Sequence, residues 1–247
     1  MEKPLISLFG PAIRPQNWLR LYDNISDSSV PFEIVFVGPN EPDYTLPDNF
    51  RYIKSNVKPV QCAEAAARST KGEFIMNTVD DLEFVTKDAL GKLYNEYTAY
   101  SEDKLILSSR FMTDGIDASL VCHHYPMSDP LVVPVGGLIT RKLYMELGGC
   151  DRNLVYCGYD LDIAFRLYVI RGRVVLSKDV YINENPKLAD GISGGNSGGY
   201  ADHQLLNTWW VVDGKIQLNR SQPFEPFIDD RILEKSQGIK GTEGNWD

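Results

Sequence analysis

The chain has 247 residues, of which 43% are hydrophobic and 24% charged, an ordinary globular composition that can build a core without disulfide or metal support. Its net charge of −9 argues against non-specific binding to nucleic acid or to an anionic membrane, which would require a basic surface. The four cysteines form no zinc pattern and no apolar run reaches the roughly 18 residues of a membrane span, so we expect a soluble, cytoplasmic protein with reduced thiols.

The first 112 residues alternate apolar runs with amphipathic segments. Apolar runs bounded by glycine or proline predict buried strands, and apolar stripes with helical spacing predict helices. The predicted strands cover residues 5–10, 32–38, 50–55, 73–79 and 104–112, and the predicted helices cover residues 15–25, 59–72 and 86–100, the last with Thr86 as its N-cap. This alternation indicates βαβ units and therefore an α/β fold with a mostly parallel, Rossmann-like central sheet flanked by helices.

The second half of the chain is less regular. A strand and a short helix are predicted within residues 132–151, a helix over 159–172 and a strand over 173–182. Residues 189–203 contain five glycines in fifteen positions and predict a mobile loop, after which order resumes at residue 203. Residues 221–247 carry proline and scattered charge, and we expect this tail to wrap the surface.

The stretch FIMNTVDDLEFV, residues 74–85, ends a predicted buried strand on Asp80 and Asp81. Such a pair is either a polar turn that leads to the next helix or a pair of hard oxygen ligands for a divalent metal. Ligands of parallel α/β sheets bind beyond the carboxyl ends of the strands, which is where this pair falls. Its position therefore favours the chemical interpretation.

A second polar group lies at the start of the predicted helix 159–172, in GGCDRNLVYCGYDLDIAFRL. Asp160 and Asp162 fall in its first turn and Arg166 follows within the helix. A carboxylate at a helix N-terminus is stabilised by the helix dipole, so each aspartate is a candidate cap. Either also serves as a general base if its side chain faces a cleft.

These segments, in this order, resemble family 2-type glycosyltransferases of the GT-A fold. GPAIRP follows the first strand, where that family has a turn that contacts the nucleotide. FEIVFVGPNEP is similar to the family's second strand, and AEAAARSTKGEFIMNTVDDLEF is similar to its Ala-Arg-Asn helix, Gly-Glu-Tyr-Ile strand and metal-binding DxD turn. GGLITRKLYMELGGCD and GYDLDIAFRLYVIRGRVV resemble the acceptor-side segment, whose Glu-Asp motif supplies the base.

The resemblance implies a single GT-A-like catalytic domain over residues 1–220, with a nucleotide-binding half 1–112, an acceptor-side half 113–220 and the tail beyond. It implies an inverting enzyme that moves a sugar from a UDP- or GDP-sugar type donor to a hydroxyl of a glycan or other acceptor. Asp160 is the expected catalytic base. The expected nucleotide-sugar contacts are Pro11, Ala12, Arg14, Gly38, Asn40, Arg68 and Asp80, and the expected ligands of Mn²⁺ or Mg²⁺ are Asp81, Asp80 and His203.

The chain departs from the family pattern at three places. Val79 stands where the first aspartate of DxD is expected, so Asp81 becomes the main metal ligand and Asp80 a sugar or ribose contact. GPN, residues 38–40, lacks the carboxylate that contacts the nucleobase in the family. Tyr159 replaces the acidic residue that precedes the catalytic base, Asp160. Two rival functions remain: a non-catalytic sugar-nucleotide or glycan-binding module on the same fold, and a sugar-nucleotide pyrophosphorylase, whose G-x-G-x-R loop and lysine are not found in FGPAIRPQN.

Several other residues have both a functional and an ordinary interpretation. His203 is either a metal ligand on a closing loop or a solvated histidine. Arg68 either pairs with a phosphate or faces solvent. The remaining pairs are His123 and His124, which line an acceptor cleft or a plain surface loop, and Trp209 and Trp210, which stack on a sugar or belong to the core.

Overall fold

A computed structural model describes residues 3–113, 115–184 and 197–227. The strands are β1 (Ile6–Pro11), β2 (Phe32–Gly38), β3 (Phe50–Lys54), β4 (Phe74–Asn77), β5 (Leu82–Phe84), β6 (Leu105–Thr113), β7 (Ile116–Asp117), β8 (Gly137–Thr140), β9 (Arg173–Glu184), β10 (Val211–Val212) and β11 (Lys215–Ile216). The helices are a 3-10 turn (Pro15–Asn17), α1 (Trp18–Ile25), α2 (Pro59–Ser69), α3 (Ala89–Thr98), α4 (Ser119–Cys122), α5 (Arg141–Glu146), α6 (Tyr159–Val169) and α7 (Ser197–Trp210).

The main sheet has the strand order β3-β2-β1-β4-β8-β6-β9-β5, with β7 paired to β6. Strands β1, β2, β3 and β4 are parallel, and β6 and β9 continue in the same direction beyond the antiparallel strand β8. Strand β5 is antiparallel to β9. The predicted mixed α/β fold with a mostly parallel sheet is therefore confirmed, and the sheet takes strands from both predicted halves of the chain.

Helices cover both faces of this sheet because successive strand residues point in opposite directions. In β2, Phe36 packs against Trp18 of α1, with ring centroids 5.7 Å apart. The alternate residues Val35 and Val37 belong to the other core cluster, which contains buried residues of α2, α6 and α7. Of the helices in the described part of the chain, none combines the length and the apolar character needed to cross a membrane.

Several predicted segments differ from the structure in their bounds or contacts. Helix α3 begins at Ala89, because the hydroxyl of Thr86 donates to the carbonyl of Asp179 on β9 (3.0 Å) instead of capping the helix. The predicted loop 189–203 is wrong over its last part, since α7 begins at Ser197; residues 189–196 lie outside the described residues. In the predicted tail, Pro226 forms a β-bridge with Asp151, and residues 228–247 lie outside the described residues.

Candidate functional site

The sheet reverses its strand order between β1 and β4, and this reversal places the candidate site. The chain moves outward from β1 to β2 and β3, then returns to add β4 on the other side of β1. The loops after β1 and β4 therefore diverge at the carboxyl edge and leave a crevice, the usual ligand position in such sheets. The structure brings together there the predicted residues that follow β1, β2 and β4, namely Ala12, Arg14, Asn40, Asp80 and Asp81, beside the strand ends Pro11 and Gly38.

Asp80 organises the loop that follows β1. Its Oδ2 atom accepts hydrogen bonds from the backbone N–H groups of Ile13 (2.7 Å) and Arg14 (2.6 Å). Its Oδ1 atom accepts from the Arg14 guanidinium at 2.7 Å. Asp80 is buried, and both of its oxygens are engaged by the protein. In this structure Asp80 therefore anchors a loop, which differs from the predicted direct contact with metal, sugar or ribose.

Arg14 also reaches the second carboxylate of the pair. The same guanidinium nitrogen that binds Asp80 lies 3.4 Å from Oδ2 of Asp81. The side chains of Arg14 and Asp81 are 8% and 12% exposed, so the interaction is largely sheltered from water. Arg14 therefore neutralises part of the charge of the two carboxylates at the end of β4.

The loops after β1 and β2 are joined by backbone contact. The backbone N–H of Ala12 donates to the carbonyl of Val37 (3.0 Å), and the side-chain amide of Asn40 donates to the carbonyl of Ile13 (2.7 Å). A Cβ atom on Gly38 would lie 1.8 Å from the carbonyl oxygen of Ala12. Position 38 therefore requires glycine, and the loops after β1 and β2 are held against each other through Ala12, Gly38 and Asn40.

Asp160 lies in the first turn of α6, behind Gly158, which takes a left-handed φ of 74°. Its Oδ1 atom accepts a hydrogen bond from the backbone N–H of Leu161 at 3.0 Å. Burial raises the pKa of this carboxyl above its usual range, although the backbone hydrogen bonds and the charge of His203 oppose the shift. The carboxyl lines a small, mostly apolar cavity of about 30 Å³. A partly enclosed carboxylate with a raised pKa has the properties of a general base.

A hydrogen bond connects Asp160's segment to the end of β4. The hydroxyl of Tyr159 donates to Oδ1 of Asn77, the last residue of β4, at 2.7 Å. Asn77 precedes the aspartate pair by three positions, so the bond holds the start of α6 against the strand that carries Asp80 and Asp81. Neither partner was singled out as a site residue from the sequence.

Asp162, the other candidate at the start of α6, is a core residue. It is fully buried, pairs with Arg166 at 2.8 Å and accepts a hydrogen bond from the indole N–H of Trp210 at 2.9 Å. Trp209 is buried as well, beneath the guanidinium of Arg220 at 4.0 Å from its ring. Among the alternatives for these side chains, the structure supports the core interpretation for both tryptophans.

His203 lies on the exposed side of α7, on the same side of the molecule as Asp160. Its ring stacks on Tyr125 with centroids 5.6 Å apart and an interplanar angle of 22°. The neighbouring Asp202 is buried and accepts hydrogen bonds from the backbone N–H groups of Tyr156 (2.6 Å) and Cys157 (2.9 Å), which fixes α7 against the loop before Asp160. His203 is therefore held close enough to Asp160 for its charge to act on that carboxyl.

The predicted three-residue metal set is not assembled. Within residues 3–113, 115–184 and 197–227, no three histidine, cysteine or acidic side chains are grouped to hold an ion. Mg²⁺ and Mn²⁺, however, are commonly held by one or two protein carboxylates together with the phosphates of a substrate. Asp81 is the carboxylate of the pair that would belong to such a donor set, because both oxygens of Asp80 are engaged by the loop after β1.

Two predictions about other side chains need correction. Arg68 lies in the last turn of α2, which returns from the carboxyl edge of the sheet towards the start of β4. It pairs there with Glu64 (2.7 Å) and the carbonyl of Phe227 (2.9 Å), so the structure does not bring it together with the other predicted nucleotide contacts. His123 is fully buried with its Nδ1 atom 2.8 Å from the carbonyl of Val133, and burial lowers its pKa. His123 therefore belongs neither to a plain surface loop nor to an open cleft.

Comparisons with solved structures identify the fold. No protein-family model and no curated protein sequence matches this chain. Staphylococcus aureus TarS 1–349 in complex with UDP aligns with a TM-score of 0.55 at 14% identity, over 74% of this chain and 61% of that chain. The same protein with UDP-GlcNAc gives 0.53 at 14% identity, over 76% and 61%. GalNAc-T7 with UDP, GalNAc and Mn²⁺ gives 0.59 at 12% identity, over 85% and 48%.

These similar structures are GT-A glycosyltransferases, so the chain has the GT-A fold. At 12% and 14% identity the likeness concerns the fold and does not single out family 2. The chain spans less than two thirds of the length of each of these relatives.

Proposed function

We propose that the protein is a glycosyltransferase that uses a nucleotide-diphosphate sugar as donor. The observation that carries the proposal is the hydrogen bond between Tyr159 and Asn77. It holds the candidate base Asp160 beside the end of β4, the strand that leads to Asp80 and Asp81. A donor bound in the crevice and an acceptor beside α6 would then meet at this strand end. The fold supports the same function, because similar structures contain UDP or UDP-GlcNAc.

The loops after β1, β2 and β4 bind the nucleotide-sugar donor. Ala12, Gly38 and Asn40 hold these loops together through backbone and amide contacts, which gives a base and ribose a fixed edge of the crevice to bind. UDP in TarS and GalNAc-T7 favours a uridine nucleotide over the guanosine alternative.

A divalent metal, Mn²⁺ or Mg²⁺, belongs to this proposal as the ion that neutralises the diphosphate and stabilises the departing nucleotide. Asp81 is the residue that would hold it, with Asp80 keeping the neighbouring loop in place. GalNAc-T7 was solved with Mn²⁺, which supports this part of the proposal.

Asp160 performs the proton transfer. Its carboxylate accepts the proton of the acceptor hydroxyl while that oxygen forms a bond to the anomeric carbon, and the bond from that carbon to the diphosphate oxygen breaks. The nucleoside diphosphate leaves with the bonding electrons. A single displacement from the opposite face inverts the anomeric configuration, in agreement with the family resemblance.

The second candidate function is a binding module without turnover. One observation favours it: Arg14 already neutralises part of the carboxylate pair on which a metal would depend. Such a module would still bind a nucleotide sugar in the same crevice.

A donor screen tests the choice between the two functions. UDP- and GDP-sugars are incubated with the protein, Mn²⁺ and a panel of glycan acceptors, and released nucleotide and glycosylated product are measured together. We expect release with at least one UDP-sugar, and its loss in Asp160→Asn. Donor binding by calorimetry without release from any donor would instead establish the binding module.

A further inference from the structure

The small cavity beside Asp160 has mostly apolar walls. Its volume of about 30 Å³ leaves room for about one or two groups of the size of a water molecule. The walls come from three strands of the sheet, from the segment before β8 and from α6, and their apolar side chains are those of Phe9, Ile106, Ile139, Pro134 and Ile163. A water molecule needs about two to four polar partners, so most of this space suits an apolar group better than water.

Polar side-chain atoms also reach the lining of the cavity, and most of them have partners. The hydroxyls of Tyr144 and Tyr159 donate to Glu64 (2.8 Å) and to Oδ1 of Asn77 (2.7 Å). The amide nitrogen of Asn77 is different: among residues 3–113, 115–184 and 197–227, none accepts a hydrogen bond from its Nδ2 atom. Asn77 therefore offers a ligand in this cavity a hydrogen-bond donor whose orientation is fixed by Tyr159.

A ligand group that fits the cavity must combine two properties. It must bring an oxygen that accepts from Nδ2 of Asn77, and it must bring an apolar part for the surrounding side chains. A hydroxyl group has the oxygen but leaves the apolar space unfilled. An acetamido group has both, because its carbonyl oxygen accepts a hydrogen bond and its methyl group gains from burial among apolar side chains.

The position of the cavity indicates which substrate carries this group. Asn77 ends β4, three positions before Asp80, and Asp160 lies on the opposite side of the cavity, at the start of α6. In the proposed reaction the anomeric carbon of the donor lies between the diphosphate at Asp81 and the acceptor oxygen at Asp160. The substituent on the next carbon, C2, is therefore the one nearest to the cavity.

We propose that this cavity is the subsite for the 2-acylamino group of the donor, so that the donor is a nucleotide-diphosphate 2-acetamido sugar and not its 2-hydroxy parent. Asn77 determines this specificity by donating from Nδ2 to the acyl carbonyl oxygen. Ile139 and Ile163 enclose the methyl group, and Asp160 stays available to the acceptor hydroxyl. This inference rests on the proposed function, which supplies the nucleotide sugar.

The test compares donors that differ only in the substituent on C2. UDP and GDP derivatives of N-acetylglucosamine and N-acetylgalactosamine are set against those of glucose and galactose. Affinity is measured by calorimetry, and kcat/KM is measured by nucleotide release. Small apolar pockets discriminate by roughly 10- to 200-fold for one carbon, so we expect a preference of about tenfold or more for the acetamido member of a pair.

Two matched variants test the apolar wall. Ile163→Val removes one methyl group from the lining, and should raise kcat/KM for the N-propionyl donor relative to the N-acetyl donor by about tenfold. Ile25→Val makes the same change at a buried position of α1, in the other core cluster. It should leave this ratio unchanged.

Asn77→Asp tests the amide. It keeps an oxygen that accepts from Tyr159 and replaces the N–H donor by a second acceptor. The preference should therefore reverse towards the 2-hydroxy parent, whose hydroxyl can donate to the new carboxylate. If Asn77→Asp fails to fold by circular dichroism, Asn77→Ser replaces it, and the expected result is then loss of the preference.

The outcomes separate this inference from the proposed function. Equal affinity and kcat/KM for the acetamido donors and their parents would overturn the subsite and leave the glycosyltransferase intact. A preference that appears only for the acceptor, or a ratio that changes equally in Ile163→Val and Ile25→Val, would also overturn it. The expected preference in binding, without nucleotide release, would support the subsite and reject turnover. Binding of no donor would reject the nucleotide-sugar function and the subsite with it.

Discussion

The hydroxyl of Tyr159 donates a 2.7 Å hydrogen bond to the side-chain oxygen of Asn77, and so joins the start of helix α6 to the end of strand β4. Tyr159 is almost fully buried, so the bond is protected from water. The bond is the contact that ties the start of α6, and with it Asp160, directly to the strand that leads to Asp81. This makes Tyr159 a positioning residue in the proposed reaction.

Tyr159→Phe should lower turnover without weakening donor binding. Loss of one buried hydrogen bond should reduce the free energy of unfolding by about 1 kcal/mol. The rate constant for nucleotide release should fall while the dissociation constant for the nucleotide, measured by calorimetry, stays the same. Tyr168→Phe is the matched control, since this tyrosine of the same helix donates to the carbonyl of Val132. Equal losses of turnover in both variants would contradict a specific role for Tyr159.

Asp160→Asn should slow turnover strongly and stabilise the protein at neutral pH. General bases contribute roughly 10²–10⁴-fold to rates, so a loss in that range is expected. Because burial raises the pKa of Asp160, the folded state binds its proton more readily than the unfolded state does. The ionised carboxylate therefore destabilises the fold as pH rises through the raised pKa, and the asparagine removes this cost.

The difference in melting temperature between Asp160→Asn and wild type should disappear below about pH 4, the ordinary value for aspartate. Thermal unfolding monitored by circular dichroism, over a pH range that extends from neutral pH to below the ordinary aspartate value, measures this difference. A variant no more stable than wild type at pH 8 would argue against a partly enclosed Asp160 that is ionised in the folded protein.

The two neighbouring aspartates should respond differently to the same substitution. Asp80→Asn leaves Arg14 with less compensation in a buried position, a loss of about 3 kcal/mol or more in unfolding free energy. Asp81→Asn should cost less than about 1 kcal/mol, because its contact with Arg14 is longer. Urea unfolding of both variants gives the comparison. A larger loss in Asp81→Asn would reverse the assignment of anchor and ligand.

His203→Ala should change the pH dependence of turnover and leave Mn²⁺ affinity unchanged. The charge of His203 acts on Asp160, so its removal should move the acidic limb of the pH–rate profile to higher pH. Gln204→Ala, a neighbouring exposed position on α7, is the control. A loss of Mn²⁺ affinity in His203→Ala alone would restore the predicted ligand role.

The first half of the fold was predictable because its signals are local. Residues 32–38 form β2 as predicted, and α2 ends three residues before its predicted limit. Strand β5 has only three residues and exists through pairing with β9, about a hundred positions later, so no local pattern marks it. Helix α7 contains glycines in its first turn, which disfavour a helix. Its Asp202 accepts hydrogen bonds from Tyr156 and Cys157, about 45 positions earlier, and no local pattern predicts these contacts.

Individual residues of the candidate site were predictable from the sequence, but the hydrogen bonds that join their segments were not. Asp81 and Asp160 follow from their places on strand and helix ends. The bond between Asn77 and Tyr159 spans 82 positions and had no sequence signal. Arg68 is different, because a helix that leaves the carboxyl edge of a parallel sheet must end near the opposite edge, so its last turn was already excluded from the crevice by topology.

The close approach of Gly38 to the carbonyl of Ala12 bears on attempts to change donor preference. A side chain at position 38 would separate two loops before it touched any ligand, so libraries that vary this position would mostly yield unstable proteins. Substitutions are better placed at Asn40. Its side-chain amide donates one hydrogen bond to the carbonyl of Ile13, and the loss of that bond costs less stability. Selection for a new nucleobase should therefore keep residue 38 fixed and vary the chain from residue 40 onward.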